Sequence, residues 1–262
     1  MSKTLDSFDT FYKFNKINEK DPIIFIHGIG LNHQIWDQQI EYFKNYNTIV
    51  YDLIGHGKTP LNKKKITIED FSKQLLSLMD SLNLKKIHLV GFSLGSLIAR
   101  DFAYKKNDRL SSLVIFGTVY KRTEDQKRQV INRFEMMKKD KEVSKKRALS
   151  RWFTDDFIKK NKPIYEKIYS MLDKNSHENW LKVYKLFVYH EDNDMNIKQI
   201  KTNSLIITGE NDVGSKPEMS ENLSKVIKNS VFKTVKNGKH LCNIECAEIF
   251  NITVREFIDN NV

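Results

Sequence analysis

The chain has 262 residues, of which 40% are hydrophobic and 29% are charged, and its formal net charge is +11. That length suits one large domain or two small ones, and the composition is ordinary for a folded protein, which excludes extensive disorder. No stretch approaches the roughly 20 apolar residues needed to span a bilayer, and the N-terminal MSKTLDSFDTFYKF has no apolar signal core. We therefore expect a cytoplasmic protein with no membrane span.

Short apolar runs recur along the chain, each bounded by turn residues. They are near-continuous rather than alternating, which is typical of strands buried on both faces of a parallel sheet. The runs are PIIFIH (22–27), NTIVYD (47–52), KIHLVG (86–91), SLVIFG (112–117), SLIITG (204–209) and VFKTV (231–235). The segment FDTFYKFNK (8–16) is predicted to add an edge strand or hairpin.

Amphipathic patterns separate these runs and predict helices over 68–82, 94–105, 217–228 and 248–259. Alternating strands and helices form βαβ units with right-handed crossovers. The sequence thus predicts an α/β fold with a mostly parallel central sheet flanked by helices.

The alternation stops between 117 and 203, where the chain is amphipathic and has no glycine and a single proline, Pro163. We expect residues 118–202 to form a helical cap over a core domain made of residues 1–117 and 203–262. Residues 119–190 hold 19 Lys and Arg against 10 Asp and Glu. Such a basic segment can attract nucleic acid, a membrane or an acidic protein, but we favour a merely solvated basic face. No nucleic-acid recognition module is present, so we expect no nucleic-acid partner.

Cysteine chemistry is not expected to contribute. Cys242 and Cys246 are the only cysteines, and their C-x3-C spacing has no matching second pair. A zinc site is therefore not expected, nor is any other metal, and two packed thiols in a reducing compartment are favoured.

The stretch GFSLGS (91–96) follows a predicted strand and precedes a predicted helix. In that context G-x-S-x-G is the nucleophile-elbow pattern, whereas alone it is only a glycine turn. The turn must be very tight to expose the Ser93 hydroxyl, so side chains at Gly91 and Gly95 would collide. Ser93 is accordingly the candidate nucleophile.

A serine nucleophile needs a base, and the base needs a carboxylate. His240 lies in NGKHLCNIE, after the last predicted strand, and Asp212 lies in TGENDVGSKP, just past another strand end. Glu210 is the local rival to Asp212. The remaining histidines are less suited: His88 lies inside a strand, His27 and His56 in glycine loops, and His33, His177 and His190 are expected at the surface or in the insertion.

Acyl transfer also needs two donors for the developing oxyanion. One would be the backbone N–H of Leu94, directly after the nucleophile, so a changed Leu94 side chain should affect substrate fit more than chemistry. The other would be the N–H of Ile29 in HGIGLNHQIW (27–36), where Gly28 and Gly30 let the backbone turn toward the serine.

Together HGIG, DLIGHGKTP (52–60), GFSLGS, TGENDVGS and GKHLCNIE resemble the α/β-hydrolase superfamily, in the branch with a helical cap inserted after the sixth strand. The resemblance implies Ser93, Asp212 and His240 as a triad, Ile29 and Leu94 as oxyanion donors, and no cofactor. It also implies that Asp52 and His56 organise structure. HGIGLNHQIW resembles pimeloyl-[acyl-carrier-protein] methyl ester esterases, and the C-terminal motifs resemble 3-oxoadipate enol-lactonases.

The leading hypothesis is a serine hydrolase of a small-molecule carboxylic ester, thioester or lactone. Dehalogenases and epoxide hydrolases are expected to carry Asp in place of Ser93, but C–C bond hydrolases and perhydrolases share the serine. An acidic acyl carrier protein is a second candidate partner, and a catalytically silent ligand-binding protein is a third alternative. Helical aromatics of the cap could line the pocket, although such residues more often form plain core. These are Trp152, Phe153, Tyr165, Trp180 and Tyr184.

Overall fold

A computed structural model of the chain describes residues 2–3 and 6–261. It contains one eight-stranded sheet with the order β1-β2-β4-β3-β5-β6-β7-β8. The strands are β1 (Ser2–Lys3), β2 (Phe11–Asn15), β3 (Ile23–Ile26), β4 (Thr48–Tyr51), β5 (Ile87–Phe92), β6 (Leu110–Phe116), β7 (Ser204–Gly209) and β8 (Ser230–Val235). Strands β1 and β2 are antiparallel to their neighbours, and every pairing from β4 across to β8 is parallel.

The six apolar runs correspond to β3–β8, and the segment 8–16 contains β2, so the predicted mostly parallel sheet is confirmed. Every residue of β3, β4, β5 and β7 is buried, which explains their unbroken apolar sequences. Strand β8 forms the far edge of the sheet, and its residues before Val235 are exposed or half-buried.

Helices cover both faces of the sheet. They are α1 (Asp37–Tyr42), α2 (Ile68–Ser81), α3 (Leu94–Lys105), α10 (Pro217–Ser224), α11 (Cys242–Glu245) and α12 (Ala247–Asp259), with 3₁₀ turns at His33–Trp36 and Asn107–Arg109. Residues of α2, α3 and α10 share one apolar cluster with the sheet, and residues of α11 and α12 share the other. Helix α10 ends four residues before the predicted position, since its chain turns after Ser224.

Six helices lie between β6 and β7: α4 (Glu124–Lys139), α5 (Lys141–Trp152), α6 (Asp155–Lys160), α7 (Lys162–Lys174), α8 (His177–Val188) and α9 (Asp194–Ile197). Capping side chains, rather than glycines, separate them. Thr123, Asp140, Thr154, Ser176 and Asn193 each accept a hydrogen bond from a backbone N–H of the helix that follows. We keep the name cap for residues 118–202, whose limits as a domain stay a prediction.

Neither a membrane helix nor a metal-binding cluster is found in the described parts of the chain. None of the helices in residues 2–3 and 6–261 is both long and apolar enough to cross a bilayer. The same residues contain no group of three or more His, Cys, Asp or Glu side chains arranged to hold a metal ion.

Candidate active site

Ser93 lies alone between the end of β5 and the start of α3. Its backbone has φ +54° and ψ −112°, a region that residues other than glycine rarely adopt. The Ser93 N–H donates to the Phe116 carbonyl at 2.9 Å, which ties this turn to the neighbouring strand. The strained turn therefore belongs to a well-anchored sheet end rather than to a loose loop.

Gly91 and Gly95 allow this turn by leaving room for backbone. A Cβ atom added to Gly91 would lie 2.3 Å from the Gly95 carbonyl oxygen, and one added to Gly95 would lie 2.6 Å from the Ile26 carbonyl oxygen. Gly28 is similarly crowded, because its Cβ would lie 2.9 Å from the Phe92 ring and 3.2 Å from the Ser93 Cβ. The expected collisions at the positions flanking Ser93 are thus present.

His240 is joined to Asp212 across 28 residues of sequence. The His240 Nδ1 lies 2.6 Å from the Asp212 Oδ2, and both side chains are buried. The other carboxylate oxygen, Oδ1, accepts from the N–H groups of Gly214 at 2.8 Å and Ser215 at 2.9 Å. With a carboxylate at Nδ1, the His240 ring carries its proton there and leaves Nε2 free to accept one.

Glu210, the rival carboxylate, has a different partner. It is exposed, and its Oε2 accepts from the Asn237 N–H at 2.9 Å. Glu210 therefore closes the turn after β8 while Asp212 holds the imidazole.

The loop that carries His240 is fastened to the end of α5 in the cap. The Leu241 N–H donates to the Trp152 carbonyl at 3.1 Å, and the Lys239 ammonium donates to the carbonyls of Ser150 and Phe153, both at 3.0 Å. The His240 ring is near two aromatic rings, Phe92 at a centroid distance of 4.8 Å and Trp152 at 6.2 Å. Cap and sheet together fix the imidazole.

Two buried histidines organise the loop that follows β3. His27 Nδ1 donates to the Gly28 carbonyl at 2.8 Å and its Nε2 accepts from the Leu53 N–H, while His56 Nε2 accepts from the Gly30 N–H, both at 3.0 Å. Burial lowers the pKa of His27 to about 3 and that of His56 to about 4. Both rings are therefore neutral near pH 7, as these hydrogen bonds require.

Asp52 fixes the second glycine loop. Its Oδ1 accepts from the backbone N–H and the Nδ1 of His33, and its Oδ2 accepts from the Lys58 N–H. Burial opposes ionisation of Asp52, but the hydrogen bonds from the His33 side chain and backbone hold the pKa of this carboxyl below its usual value. His33 was expected at the surface; it is buried instead, because it is the partner of Asp52.

The other three histidines lie away from the triad geometry. His88 is buried in β5 and pairs with the Ser112 hydroxyl at 2.8 Å, as a strand-packing role predicts. His177 and His190 are half-buried residues of the cap.

Ile29 and Leu94 are the two residues predicted to supply oxyanion donors. Among the described residues, neither backbone N–H has a hydrogen-bond acceptor. Ile29 lines the same cavity as Ser93, and Gly30 next to it adopts φ +74°. The Leu94 side chain is fully buried in the apolar core and is not part of the cavity wall, so the expected effect of Leu94 on substrate fit is not supported.

Ser93, Asp212 and His240 line one cavity of about 240 Å³ between the sheet end and the cap. Apolar side chains make up much of its wall. They include Val119, Val130, Met136, Met137, Ala148 and Phe187.

Residues 21–246 match the family model described as the α/β hydrolase fold. The chain is a member of that family. It is a hydrolase, and its predicted fold class is confirmed.

Two curated proteins of Acinetobacter baylyi are similar over nearly the whole chain. One, (E)-2-((N-methylformamido)methylene)succinate hydrolase, is 28% identical over 267 residues, covering 99% of this chain and 98% of that protein. The other, 3-oxoadipate enol-lactonase 2, is 26% identical over 255 residues, covering 96% and 94%. The crystal structure of an enol-lactonase from Burkholderia xenovorans has a TM-score of 0.88 at 22% identity, covering 95% of this chain and 96% of that one. The structural likeness supports the fold.

Three of the five predicted aromatic residues of this α/β hydrolase line the cavity: Trp152, Trp180 and Tyr184. The other two lie elsewhere. Phe153 is fully buried and stacks on Phe157 with centroids 4.9 Å apart, and Tyr165 stacks on Tyr169 at 6.3 Å. Both belong to the packing of the cap helices, which is the alternative role of helical aromatics.

Sequence reasoning missed the four arginines that line the cavity, which are Arg122, Arg133, Arg147 and Arg151. The sequence shows the basic charge of the cap, but it does not show which of the arginines face a cavity. A local pattern was available, since Arg147 and Arg151 are four residues apart and so share a helix face.

Proposed function

We propose that this hydrolase cleaves a carboxylic ester, thioester or lactone through an acyl-enzyme on Ser93. One observation carries the proposal: Ser93, Asp212 and His240, from three distant parts of the chain, line one cavity, and His240 is already bonded to the buried Asp212. That set is what nucleophilic acyl transfer requires.

In the proposed reaction the Ser93 Oγ attacks the substrate carbonyl carbon while His240 Nε2 takes the hydroxyl proton. The tetrahedral intermediate collapses, the bond to the leaving oxygen or sulfur breaks, and His240 returns the proton to that atom. A water molecule then attacks the acyl-enzyme, again losing a proton to His240. Ser93 leaves with that proton, and a carboxylic acid is released.

The backbone N–H groups of Ile29 and Leu94 are proposed to stabilise the oxyanion of both intermediates. Their lack of an acceptor among the described residues supports this role, because an oxyanion hole needs donors that are preorganised and otherwise unused. The neutral His27 and His56 hold the Ile29 loop in place without adding charge to it.

The similar proteins named above support hydrolase activity in general rather than one substrate. One is named as a hydrolase of a substituted succinate and another as a lactonase acting on an enol-lactone. The acyl-carrier-protein partner gains no support from these names. That alternative stays a prediction. So do C–C bond hydrolysis, perhydrolysis and ligand binding without catalysis.

A substrate panel with a Ser93→Ala variant tests the proposal. We expect the wild type to hydrolyse short p-nitrophenyl esters, simple lactones or acyl thioesters and to be labelled covalently by a fluorophosphonate. Ser93→Ala should lose both turnover and labelling. Ser81→Ala serves as the matched control, since Ser81 is an exposed residue at the end of α2. Turnover by Ser93→Ala at the wild-type rate, or no labelling of folded wild type, would refute the mechanism.

A further inference from the structure

The cavity that contains Ser93 is lined by four arginines from separate parts of the cap. Arg122 precedes α4, Arg133 lies within α4, and Arg147 and Arg151 lie on α5. Among the described residues of the cavity wall, Asp212 is the sole carboxylate. Its oxygens already accept from His240, Gly214 and Ser215. The wall thus has a large excess of positive charge.

These guanidinium groups lack acidic partners within residues 2–3 and 6–261. None of the four lies within 4.0 Å of an Asp or Glu oxygen in that part of the chain, and the guanidinium groups of Arg133, Arg147 and Arg151 form no hydrogen bonds there. Three of the four other arginines are paired with acids: Arg100 with Asp192, Arg109 with Asp80 and Arg128 with Asp125. The fourth, Arg255, lies over the Tyr42 ring. Four arginines without an acidic partner thus line one cavity.

The closeness of these positive charges to one another is electrostatically unfavourable. Burial lowers the pKa of Arg122 to about 10, with the charge of Asp192 opposing the shift and that of Arg133 adding to it, and burial together with Arg133 and Arg147 lowers the pKa of Arg151. Arg122 nevertheless stays charged near neutral pH. Arg122, Arg133 and Arg151 are half-buried, and Arg147 is exposed. Like charges on such a wall repel one another, and a bound anion reduces that cost.

Arg122 shows how a guanidinium group of the cavity would bind such an anion. Its Nη1 donates to the carbonyls of Phe187 at 3.0 Å and Val188 at 3.3 Å, and its guanidinium lies 4.5 Å from the Phe187 ring centroid. Its Nη2 is buried and has no partner among the described residues. The group is thus held rigidly with donors unused, and a planar guanidinium matches a carboxylate in shape.

We propose that the acyl substrate carries a second, free carboxylate, which the arginine cluster binds while Ser93 attacks the carbonyl at the other end. The substrate class is then a half-ester of a dicarboxylic acid, or a lactone bearing a carboxylate. This inference rests on the proposed function. The apolar residues of the wall, such as Val130 and Met137, would contact the short carbon chain between the two ends.

A matched pair of substrates tests the proposed carboxylate site. The pair consists of the mono-p-nitrophenyl ester of glutaric acid and the same compound with its free acid methylated. We expect the wild type to give a kcat/KM at least about tenfold higher for the anionic ester, the scale of a charged hydrogen bond. The preference should shrink as salt is raised, because salt screens the arginines.

Arg133→Gln and Arg151→Gln should lower the ratio of the two kcat/KM values by about 10- to 100-fold, mainly through KM for the anionic ester. These two positions suit substitution because their side chains make no hydrogen bonds in the described chain, so the thermal midpoint should hold or rise. Arg128→Gln is the matched control on the same helix; Arg128 is exposed, pairs with Asp125 and lies outside the cavity, so the ratio should not change.

The outcomes separate the two proposals. Equal kcat/KM for both esters in the wild type, or a ratio that Arg133→Gln and Arg151→Gln leave unchanged, would overturn the carboxylate site while Ser93 chemistry stands. If the wild type hydrolyses neither ester, fluorophosphonate labelling of Ser93 decides the proposed function, and titration calorimetry of glutarate into Ser93→Ala decides the anion site. Glutarate binding to Ser93→Ala that is lost when Arg133→Gln and Arg151→Gln are added to the same protein would support the anion site. No glutarate binding to Ser93→Ala would overturn it.

Discussion

Asp212 holds His240 with one carboxylate oxygen and its own loop with the other. Oδ2 lies 2.6 Å from His240 Nδ1, and Oδ1 accepts from the N–H groups of Gly214 and Ser215 at 2.8 and 2.9 Å. The side chain therefore cannot rotate without losing hydrogen bonds at both ends. The orientation of the imidazole is in this way set by the turn after β7.

Asp212→Asn is expected to abolish most activity while preserving the fold. The amide oxygen can still accept from Gly214 and Ser215, but the amide NH2 then faces His240 Nδ1 as a donor. The imidazole must place its proton on Nε2 and can no longer act as a base. In the Ser-His-Asp enzymes this change costs about 10⁴-fold in kcat, and we expect a similar loss in ester hydrolysis.

Glu210→Gln is the control for that experiment. Glu210 closes a neighbouring turn through the Asn237 N–H, and a glutamine oxygen can accept the same hydrogen bond. Its kcat should stay close to the wild-type value. Similar kcat values for Glu210→Gln and Asp212→Asn would show that Asp212 has no special part in the chemistry.

Gly91→Ala should destabilise the protein strongly. The added Cβ would lie 2.3 Å from the Gly95 carbonyl oxygen and 2.7 Å from the Ala99 Cβ, and both atoms belong to α3, which cannot move without disturbing the core. We expect the free energy of unfolding, measured with urea, to fall by about 3 kcal/mol, the upper end of the usual cost of overpacking.

Gly214→Ala provides the comparison, because its Cβ would lie 3.5 Å from the Asp212 Oδ1, an ordinary contact distance. This variant should unfold at nearly the wild-type urea concentration. Equal losses in the two variants would mean that general sensitivity to alanine, and not the tight turn, explains the result at Gly91.

The sheet and the elbow were predictable because their determinants are local in sequence. Buried parallel strands must be apolar throughout, and the turn at Ser93 needs glycines two residues to either side, so both appear as short patterns. The order of Ser93, Asp212 and His240 along the chain then indicated which acid and which base to pair with the serine.

The cavity wall was not predictable in the same way. Whether a cap arginine faces solvent or the cavity depends on how α4, α5 and α8 pack, and charge counts carry no such information. Phe153 and Tyr165 illustrate the same limit for aromatics: both are on cap helices, yet they pack against other cap residues. The burial of His33 was not predictable either, because its partner, Asp52, lies 19 residues away in the sequence.

The buried histidines predict a stability that falls in mild acid. Burial lowers the pKa of His27 to about 3 and of His56 to about 4, and it also lowers that of His88, whereas an unfolded histidine titrates near 6.5. Below pH 6.5 the unfolded chain therefore binds protons that the folded chain does not. The free energy of unfolding should be flat above that pH and fall below it, by about 1.4 kcal/mol per pH unit for each group.

Urea unfolding between pH 5 and 7.5 measures this slope. His56→Gln keeps an acceptor for the Gly30 N–H but removes the titrating group, so the slope below pH 6.5 should become shallower by about 1.4 kcal/mol per unit. An unaltered slope in His56→Gln would contradict the assignment of this pH dependence to the buried ring.

Leu94→Ala separates the backbone of Leu94 from its side chain. The side chain is fully buried in the core beside α3, so we expect a loss of about 2–5 kcal/mol in the free energy of unfolding. The N–H proposed for the oxyanion remains, so kcat of the folded protein should change little. Leu97→Ala, buried one turn further along α3, is the matched control and should lose comparable stability. If Leu94→Ala lowered kcat far more than Leu97→Ala, the side chain would have to position the reacting groups, and the assignment of the role to the backbone alone would be wrong.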